Sequence, residues 1–149
     1  MQARFVHTNL IAEDWRNLAD FYCTVLGCVP VPPERDFASA EVEAGTGVPG
    51  ARLRGIQLRL PGGGDAGPTL EIFNYSILAP ADHKAVNRPG FGHIAFEVDD
   101  VARARDEVLA HAGRAVGEIV TVTIATGRRV SWCYVTDPEG NAIELQAWD

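Results

Sequence analysis

A pairing of histidine with glutamate occurs twice along this chain, each time in short apolar segments. His7 opens HTNLI and Glu71 lies inside TLEIF, whereas His93 opens HIAFEV and Glu144 lies inside NAIELQ. The same polar residue at the same place in two hydrophobic segments indicates an internal repeat of one structural module. Neutral imidazole and carboxylate together suit Zn, Fe, Ni, Co or Mn. The repeat therefore predicts one shared divalent-metal site with His7, Glu71, His93 and Glu144 as ligands.

The size and charge of the chain restrict the class of protein and its partners. Its 149 residues, 46% of them hydrophobic, predict a single domain over residues 1–149. The formal net charge of −7 argues against nucleic acid and anionic membranes as partners. Three cysteines without a CxxC spacing are typical of reduced, buried thiols, and no apolar signal core follows Met1. We therefore expect a cytoplasmic protein whose partner is a small-molecule substrate.

Hydrophobic periodicity divides the chain into two modules, at about residues 1–78 and 91–149, with a linker at about 79–90. Each module begins with a strand and a helix; Asp14 and Gly27 bound the first helix, and Asp99-Asp100 and Gly113 bound the second. The predicted strands are 5–10, 53–60 and 70–75 in the first module, and 91–98, 115–123, 129–136 and 141–147 in the second. Residues 29–50 are rich in Pro and Gly and receive no assignment. The order βαβββ is clear in the second module and less clear in the first.

Side-chain alternation along the strands places the four candidate ligands on one kind of surface. The apolar neighbours of these ligands are predicted to face the helices: Leu70 and Ile72, Ile94 and Phe96, and Ile143 and Leu145. The candidate ligands then lie on the faces that do not pack on helices. A carboxylate buried there without a partner would be costly, and a bound metal would remove that cost.

Several other motifs have simpler interpretations. Residues 45–50 match G-x-G-x-x-G by letter but lack the preceding strand and the following helix, so a dinucleotide site is not expected. His83 and His111 lie outside the repeat and are interpreted as solvated. Trp15, Phe21 and Tyr22 have helical spacing and are predicted core residues. The segment DPEG at 137–140 is interpreted as a turn that aims the last strand.

Three segments resemble the vicinal oxygen chelate superfamily, which includes glyoxalase I, methylmalonyl-CoA epimerase, extradiol dioxygenases and fosfomycin-resistance enzymes. They are GHIAFEVDD at 92–100, DPEGNAIEL at 137–145 and DFY with the following LG at 20–27. The resemblance implies an α+β fold in which two βαβββ modules form a cup-shaped mixed sheet, with the helices on its outer face. It also implies one divalent metal, held by His7 and Glu71 from the first module and by His93 and Glu144 from the second, and a homodimer.

Glu71 separates the branches of this superfamily. Extradiol dioxygenases and fosfomycin-resistance enzymes use a His, His, Glu set without a carboxylate at the position of Glu71. Glyoxalase I and methylmalonyl-CoA epimerase use glutamate from both modules. Glu71 therefore favours the glyoxalase I-like branch of lyases and isomerases over oxygen chemistry.

The expected function is that of a metal-dependent lyase or isomerase of glyoxalase I type, acting on a small substrate with vicinal oxygens. The metal would stabilise an enediolate or enolate, and a carboxylate beside it would take the carbon-bound proton. Glu144 is the expected base and Glu71 has the mirrored role. The alternatives are an acyl-CoA epimerase, for which no basic cluster stands out; an Fe(II) ring-cleaving dioxygenase, with which Glu71 is discordant; and a drug- or metabolite-binding resistance protein.

Overall fold

The computed structural model of the chain describes residues 1–80 and 84–149. The chain forms two compact units, Met1–Ala81 and Asp82–Asp149, whose boundary falls inside the predicted linker. Each unit contains one open sheet with parallel and antiparallel strand pairs, together with helices. The predicted α+β class is therefore confirmed. No helix of the described residues is long and apolar enough to cross a membrane.

The first unit follows the βαβββ plan, with one short helix added. Its elements are β1 His7–Ile11, α1 Trp15–Leu26, β2 Val29–Phe37, α2 Ala40–Thr46, β3 Leu53–Arg59 and β4 Thr69–Tyr75. The strand order is β1-β4-β3-β2. β1 runs parallel to β4, whereas β3 is antiparallel to both β4 and β2. The first and last strands of the module are thus direct neighbours in the sheet.

Helix α1 begins and ends where the sequence predicts. The Asp14 carboxylate accepts hydrogen bonds from the backbone amides of Arg16 and Asn17, and Gly27 ends the helix with a φ of 67°. The predicted core residues Trp15, Phe21 and Tyr22 are all buried. The helix packs against β3 and β4, in which Leu58, Leu70 and Ile72 have no exposed surface. These apolar residues therefore form the helix-covered face of the sheet, as alternation predicts.

The unassigned segment 29–50 forms an edge strand and a short helix. In the part of the chain that the structure describes, strand β2 pairs only with β3, so Pro30, Pro32 and Pro33 do not interrupt the hydrogen bonds of a central strand. Between Val31 and Arg35 its register with β3 shifts by two residues, which is a β-bulge. Helix α2 has Ser39 as its N-cap and buries no side chain. Its lack of an apolar face explains why periodicity did not reveal it.

The second unit repeats the plan with a broken edge strand. Its elements are β5 Ile94–Glu97, α3 Val101–Ala110, β6 Arg114–Ala115, β7 Val120–Thr123, β8 Arg129–Thr136 and β9 Ala142–Trp148. The strand order is β5-β9-β8-β6, and β7 also pairs with β8. β5 runs parallel to β9, while β8 is antiparallel to β9, β6 and β7. The first and last strands are again neighbours, as in the first unit.

Three predicted boundaries in this unit are wrong. The strand predicted over 91–98 begins at Ile94, because its partner β9 begins only at Ala142 and the pairing starts at Ile143. The strand predicted over 115–123 divides into the separate strands β6 and β7, which end at Ala115 and begin at Val120. Helix α3 ends at Ala110 rather than Ala112, which has a φ of 65° and cannot continue a helix.

The turn before β9 is held by a buried carboxylate. Asp137 is fully buried, and its Oδ1 accepts hydrogen bonds from the backbone amides of Glu139 and Asn141 at 3.0 and 2.9 Å. Its Oδ2 accepts a third, from the side-chain amide of Asn141, at 2.7 Å. The prediction that DPEG forms the turn leading into the last strand is confirmed.

Candidate metal centre

The first His–Glu pair is produced by the parallel pairing of β1 with β4. Asn9 lies opposite Glu71 in this pairing. His7 lies two residues before Asn9, opposite Thr69, on the same side of the sheet. The Nε2 atom of His7 is 3.3 Å from Oε2 of Glu71. The glutamate side chain is 14% exposed and that of the histidine 42%. The two sequence-predicted ligands of the first module are therefore in contact, with the carboxylate the more deeply buried of the two.

Amide side chains hold the Glu71 carboxylate from two sides. Gln57 lies opposite Glu71 in β3 and donates a hydrogen bond to its Oε1 atom at 2.7 Å. Asn9 donates to Oε2 at 3.3 Å. Gln57 is itself held by Arg35, whose Nη2 atom lies 3.2 Å from its amide oxygen. These hydrogen bonds orient the Glu71 carboxylate.

The second pair repeats this geometry in the second unit. His93 immediately precedes β5, and Glu144 lies in the adjacent parallel strand β9, opposite Ala95. The Nε2 atom of His93 is 3.0 Å from Oε2 of Glu144. The side chains are 33% and 18% exposed, so the carboxylate is again the more buried partner. The internal repeat recognised in the sequence thus yields two similar local pairs.

The surroundings of Glu144 are aromatic where those of Glu71 are amide-rich. Tyr134 lies opposite Glu144 in the pairing of β8 with β9. Burial, then the charge of Glu144 and a hydrogen bond to it, raise the pKa of the Tyr134 phenol. The Tyr134 ring has its centroid 5.1 Å from the ring of His93 and 5.1 Å from that of Trp132. Tyr134 therefore remains a neutral hydrogen-bonding neighbour of the carboxylate at physiological pH.

The donor atoms of each pair have the separation that a shared metal ion requires. Two ligand atoms that are each about 2.1 Å from one ion lie about 3.0 to 3.4 Å apart at angles of about 90 to 110°. The 3.3 and 3.0 Å distances of the two pairs fall in this range. No group of three or more His, Cys, Asp and Glu side chains suited to a metal occurs within residues 1–80 and 84–149. The geometric fit is therefore that of two separate pairs.

Several residues beside these pairs were not recognised in the sequence. Asn9, Gln57, Trp132 and Tyr134 each lie on the same sheet face as a candidate ligand, which their register fixes. Alternation within β1 and β8 indicates which face these residues occupy, but the sequence alone does not give the pairing partner of each strand. Of the histidines outside the repeat, His111 caps α3 and its side chain contacts Glu107, and His83 lies outside the described residues.

The fold and the repeated His–Glu pairs define a class of protein, and the comparisons agree with it. Residues 4–145 match the sequence profile of the glyoxalase/bleomycin resistance protein/dioxygenase superfamily. The chain therefore belongs to this superfamily, which is the vicinal oxygen chelate superfamily that the sequence motifs resemble. No curated protein has significant sequence similarity to the chain.

Solved structures with the same fold support the assignment at low sequence identity. A glyoxalase family protein from Bacillus cereus is 20% identical with a TM-score of 0.82, covering 99% of this chain and 95% of its own. A glyoxalase family protein from Enterococcus faecalis is 21% identical with a TM-score of 0.58, covering 97% and 96%. A fosfomycin resistance protein from Listeria monocytogenes, complexed with Mn(II) and sulfate, is 15% identical with a TM-score of 0.55, covering 99% and 93%. At these identities the likeness concerns the fold alone.

Proposed function

We propose that this chain is a metal-dependent lyase or isomerase of glyoxalase I type that acts on a small substrate with vicinal oxygens. His7, Glu71, His93 and Glu144 would hold one divalent ion between them. The observation that carries the proposal is the repeated contact of imidazole Nε2 with carboxylate Oε2, at 3.3 Å in one unit and 3.0 Å in the other. Glu71, the second carboxylate, favours the four-ligand branch over the three-ligand dioxygenases.

The residues present suit a divalent ion of the Zn, Ni, Co, Mn or Fe type, because imidazole nitrogen and carboxylate oxygen are ordinary ligands of all five. Bound there, such an ion would supply the Lewis acidity that stabilises negative charge on the substrate oxygens. Glu144 would accept the proton from the neighbouring carbon. Glu71, fixed by Gln57 and Asn9, would hold its place as a ligand and have the mirrored role on the opposite side of the substrate.

The quaternary arrangement is part of the proposal. A four-ligand site would require the two His–Glu pairs to share one ion, either within one chain or between two copies of it. Membership of the superfamily favours a homodimer. The mass of the metal-loaded protein in solution, measured by light scattering, tests this directly.

Metal content is the first test of the proposed function. Protein purified without an affinity tag or chelator should contain about one divalent ion per chain, measured by inductively coupled plasma mass spectrometry. Ni, Zn or Co would direct assays to lyase and isomerase substrates, whereas Fe would favour the ring-cleaving dioxygenase. Absence of metal, with none taken up on dialysis, would leave a small-molecule-binding protein as the better account.

The proton-transfer role is tested on the metal-loaded protein. Hydroxyacetone carries oxygens on adjacent carbons, and exchange of its carbon-bound hydrogens with deuterated water, followed by NMR, reports proton abstraction directly. Glu144→Gln should lower the exchange rate about 100-fold or more. Glu97→Gln, which changes an exposed carboxylate on β5, is the matched control and should exchange like the wild type. Full metal content and full exchange in Glu144→Gln would contradict the assignment.

A further inference from the structure

Arg35 differs from the other contact-forming arginines of the first unit because it has no acidic partner among the described residues. The others each form an ion pair: Arg16 with Glu34 at 2.7 Å, Arg52 with Asp36 at 2.6 Å and Arg59 with Asp65 at 3.8 Å. Arg35 is half-buried, and its contacts within the described residues are with the carbonyl oxygen of Pro33 and the amide oxygen of Gln57. Both acceptors are neutral. Within the described residues, this partly desolvated guanidinium therefore has no direct contact with a carboxylate, in a chain whose net charge is −7.

Strand pairing places Arg35 on the sheet face that carries Glu71, and the β-bulge in β2 sets which residue of β3 it lies opposite. After the bulge Arg35 lies opposite Gly55, which lies opposite Phe73. Because side chains alternate along a strand, Gln57 lies on the same face as Gly55, and Glu71 lies on the same face as Phe73. Gly55 has no side chain to separate Arg35 from its neighbours, and an added Cβ would lie 2.2 Å from the Phe73 ring. The guanidinium and the Glu71 carboxylate therefore belong to one surface.

The distance from Arg35 to Glu71 is set by the side chain of Gln57 between them. Arginine can only donate, so the amide oxygen of Gln57 faces Arg35 and its NH₂ group faces Glu71. These contacts are 3.2 and 2.7 Å long. Two hydrogen bonds and one amide group place the guanidinium within roughly 8 Å of the carboxylate. That span matches a small molecule with a charged group a few bonds from its metal-binding oxygens.

We propose that Arg35 binds a carboxylate of the substrate, so that the substrate class is a small acid whose carboxylate is separate from its vicinal oxygens. The inference rests on the proposed function, because it places those oxygens beside Glu71. Arg35 uses only part of its five-donor fork on Pro33 and Gln57, and the remaining donors suit a planar carboxylate. The bound carboxylate would supply the counter-charge that Arg35 does not contact among the described residues. Arg35 is thereby a specificity-determining residue.

The test compares two ligands that differ only in the anionic group. Succinic acid monohydroxamate and butyrohydroxamate have the same pair of adjacent oxygens, and a methyl group replaces the carboxylate in the second. Their dissociation constants for Mn(II)-loaded protein are measured by isothermal titration calorimetry. The wild type should bind the carboxylate-bearing ligand about tenfold more tightly or better. Arg35→Met should bring the two within twofold.

Two further variants make the result specific. Arg54→Gln removes an exposed arginine from the helix-covered face of the same sheet and should keep the full preference. Arg35→Lys keeps the charge without the fork and should keep part of it. Circular dichroism and metal content of Arg35→Met must equal those of the wild type. If that variant were misfolded, a reduced preference in Arg35→Lys would decide in favour of the inference, and its full retention would decide against it.

Failure of this inference is distinguishable from failure of the proposed function. A protein that binds Mn(II) and both ligands without preference would overturn the role of Arg35 and leave the metal centre intact. The same conclusion follows if Arg35→Met keeps the wild-type preference. A protein that takes up no metal and binds neither hydroxamate would overturn both.

Discussion

At the scale of single residues, the two glutamates of the repeat occupy different chemical settings. Glu71 accepts hydrogen bonds from Gln57 and Asn9, which are neutral amides with fixed positions. Glu144 instead lies beside the Tyr134 phenol. The two glutamates thus occupy equivalent positions of the repeat but have different hydrogen-bonding partners. This difference supports a fixed ligand role for Glu71 and a proton-transfer role for Glu144.

Loss of the Gln57 amide should weaken metal binding without changing the ligand set. Gln57→Leu removes the 2.7 Å hydrogen bond that orients Glu71. Partners of this kind typically contribute about 10- to 100-fold to metal affinity, so we expect a decrease in that range. Competition with a chromogenic chelator measures it. Arg54→Gln, in the same strand but on the opposite sheet face, should keep the wild-type affinity; an equal decrease there would mean that the strand, and not the hydrogen bond, is responsible.

The buried thiol of Cys28 should be unreactive in the folded protein. Burial, assisted by the neighbouring Cys23, raises its pKa to about 12 from an ordinary value of 9.0. Because the folded state favours the neutral thiol, its contribution to stability is present below pH 9 and is lost as pH rises toward 12. At pH 8 iodoacetamide should leave Cys28 unmodified in native protein and alkylate it fully in guanidinium chloride, measured by peptide mass spectrometry. Rapid native labelling would show that the site is open to solvent.

At the scale of elements, each His–Glu pair arises because the first and last strands of a module are parallel neighbours. The side chains of β1 and β4, and those around β5 and β9, are brought together by that pairing although they are distant in the sequence. Helices α1 and α3 cover the opposite faces. The glutamates therefore have apolar, fully buried neighbours along their own strands, such as Leu70 and Ile143.

The turn that starts β9 should depend on the Asp137 carboxylate. Asp137→Ala removes three hydrogen bonds from a fully buried position, so the free energy of unfolding should fall by about 2 to 4 kcal/mol. Urea denaturation followed by fluorescence measures this decrease. Asp65→Ala, in a turn where the carboxylate is fully exposed and 3.8 Å from Arg59, is the control and should change stability little. Similar stability of both variants would show that the Asp137 bonds are dispensable.

At the scale of the whole molecule, the proposed function requires one ion to bind both His–Glu pairs. An ion that binds the folded protein alone adds about 2.7 kcal/mol of stability at a free concentration 100 times its dissociation constant. We expect one ion per chain, and we expect His7→Ala and His93→Ala each to abolish most of the metal-induced rise in Tm. Thermal unfolding with and without metal, followed by calorimetry, measures this. Two ions per chain, with each variant keeping half of the stabilisation, would indicate independent sites.

The sequence by itself determined the repeat, the α+β class, the limits of α1 and the identity of the two His–Glu pairs. Those features depend on local periodicity, on capping residues such as Asp14 and Gly27, and on the alternation that a strand imposes. The outlines of β2 and α2 were not predictable, because an edge strand rich in proline and a helix without a buried face have weak local patterns.

Only the tertiary structure decided which residues surround each pair. Gln57 and Tyr134 meet their glutamates through the registers of β3 with β4 and of β8 with β9. The bulge in β2 sets where Arg35 lies along the face that carries Glu71. Register depends on the packing of an entire sheet face, since a shift of one residue moves every side chain to the other side. Local sequence determines the chemistry of each candidate ligand, while long-range strand pairing determines its neighbours.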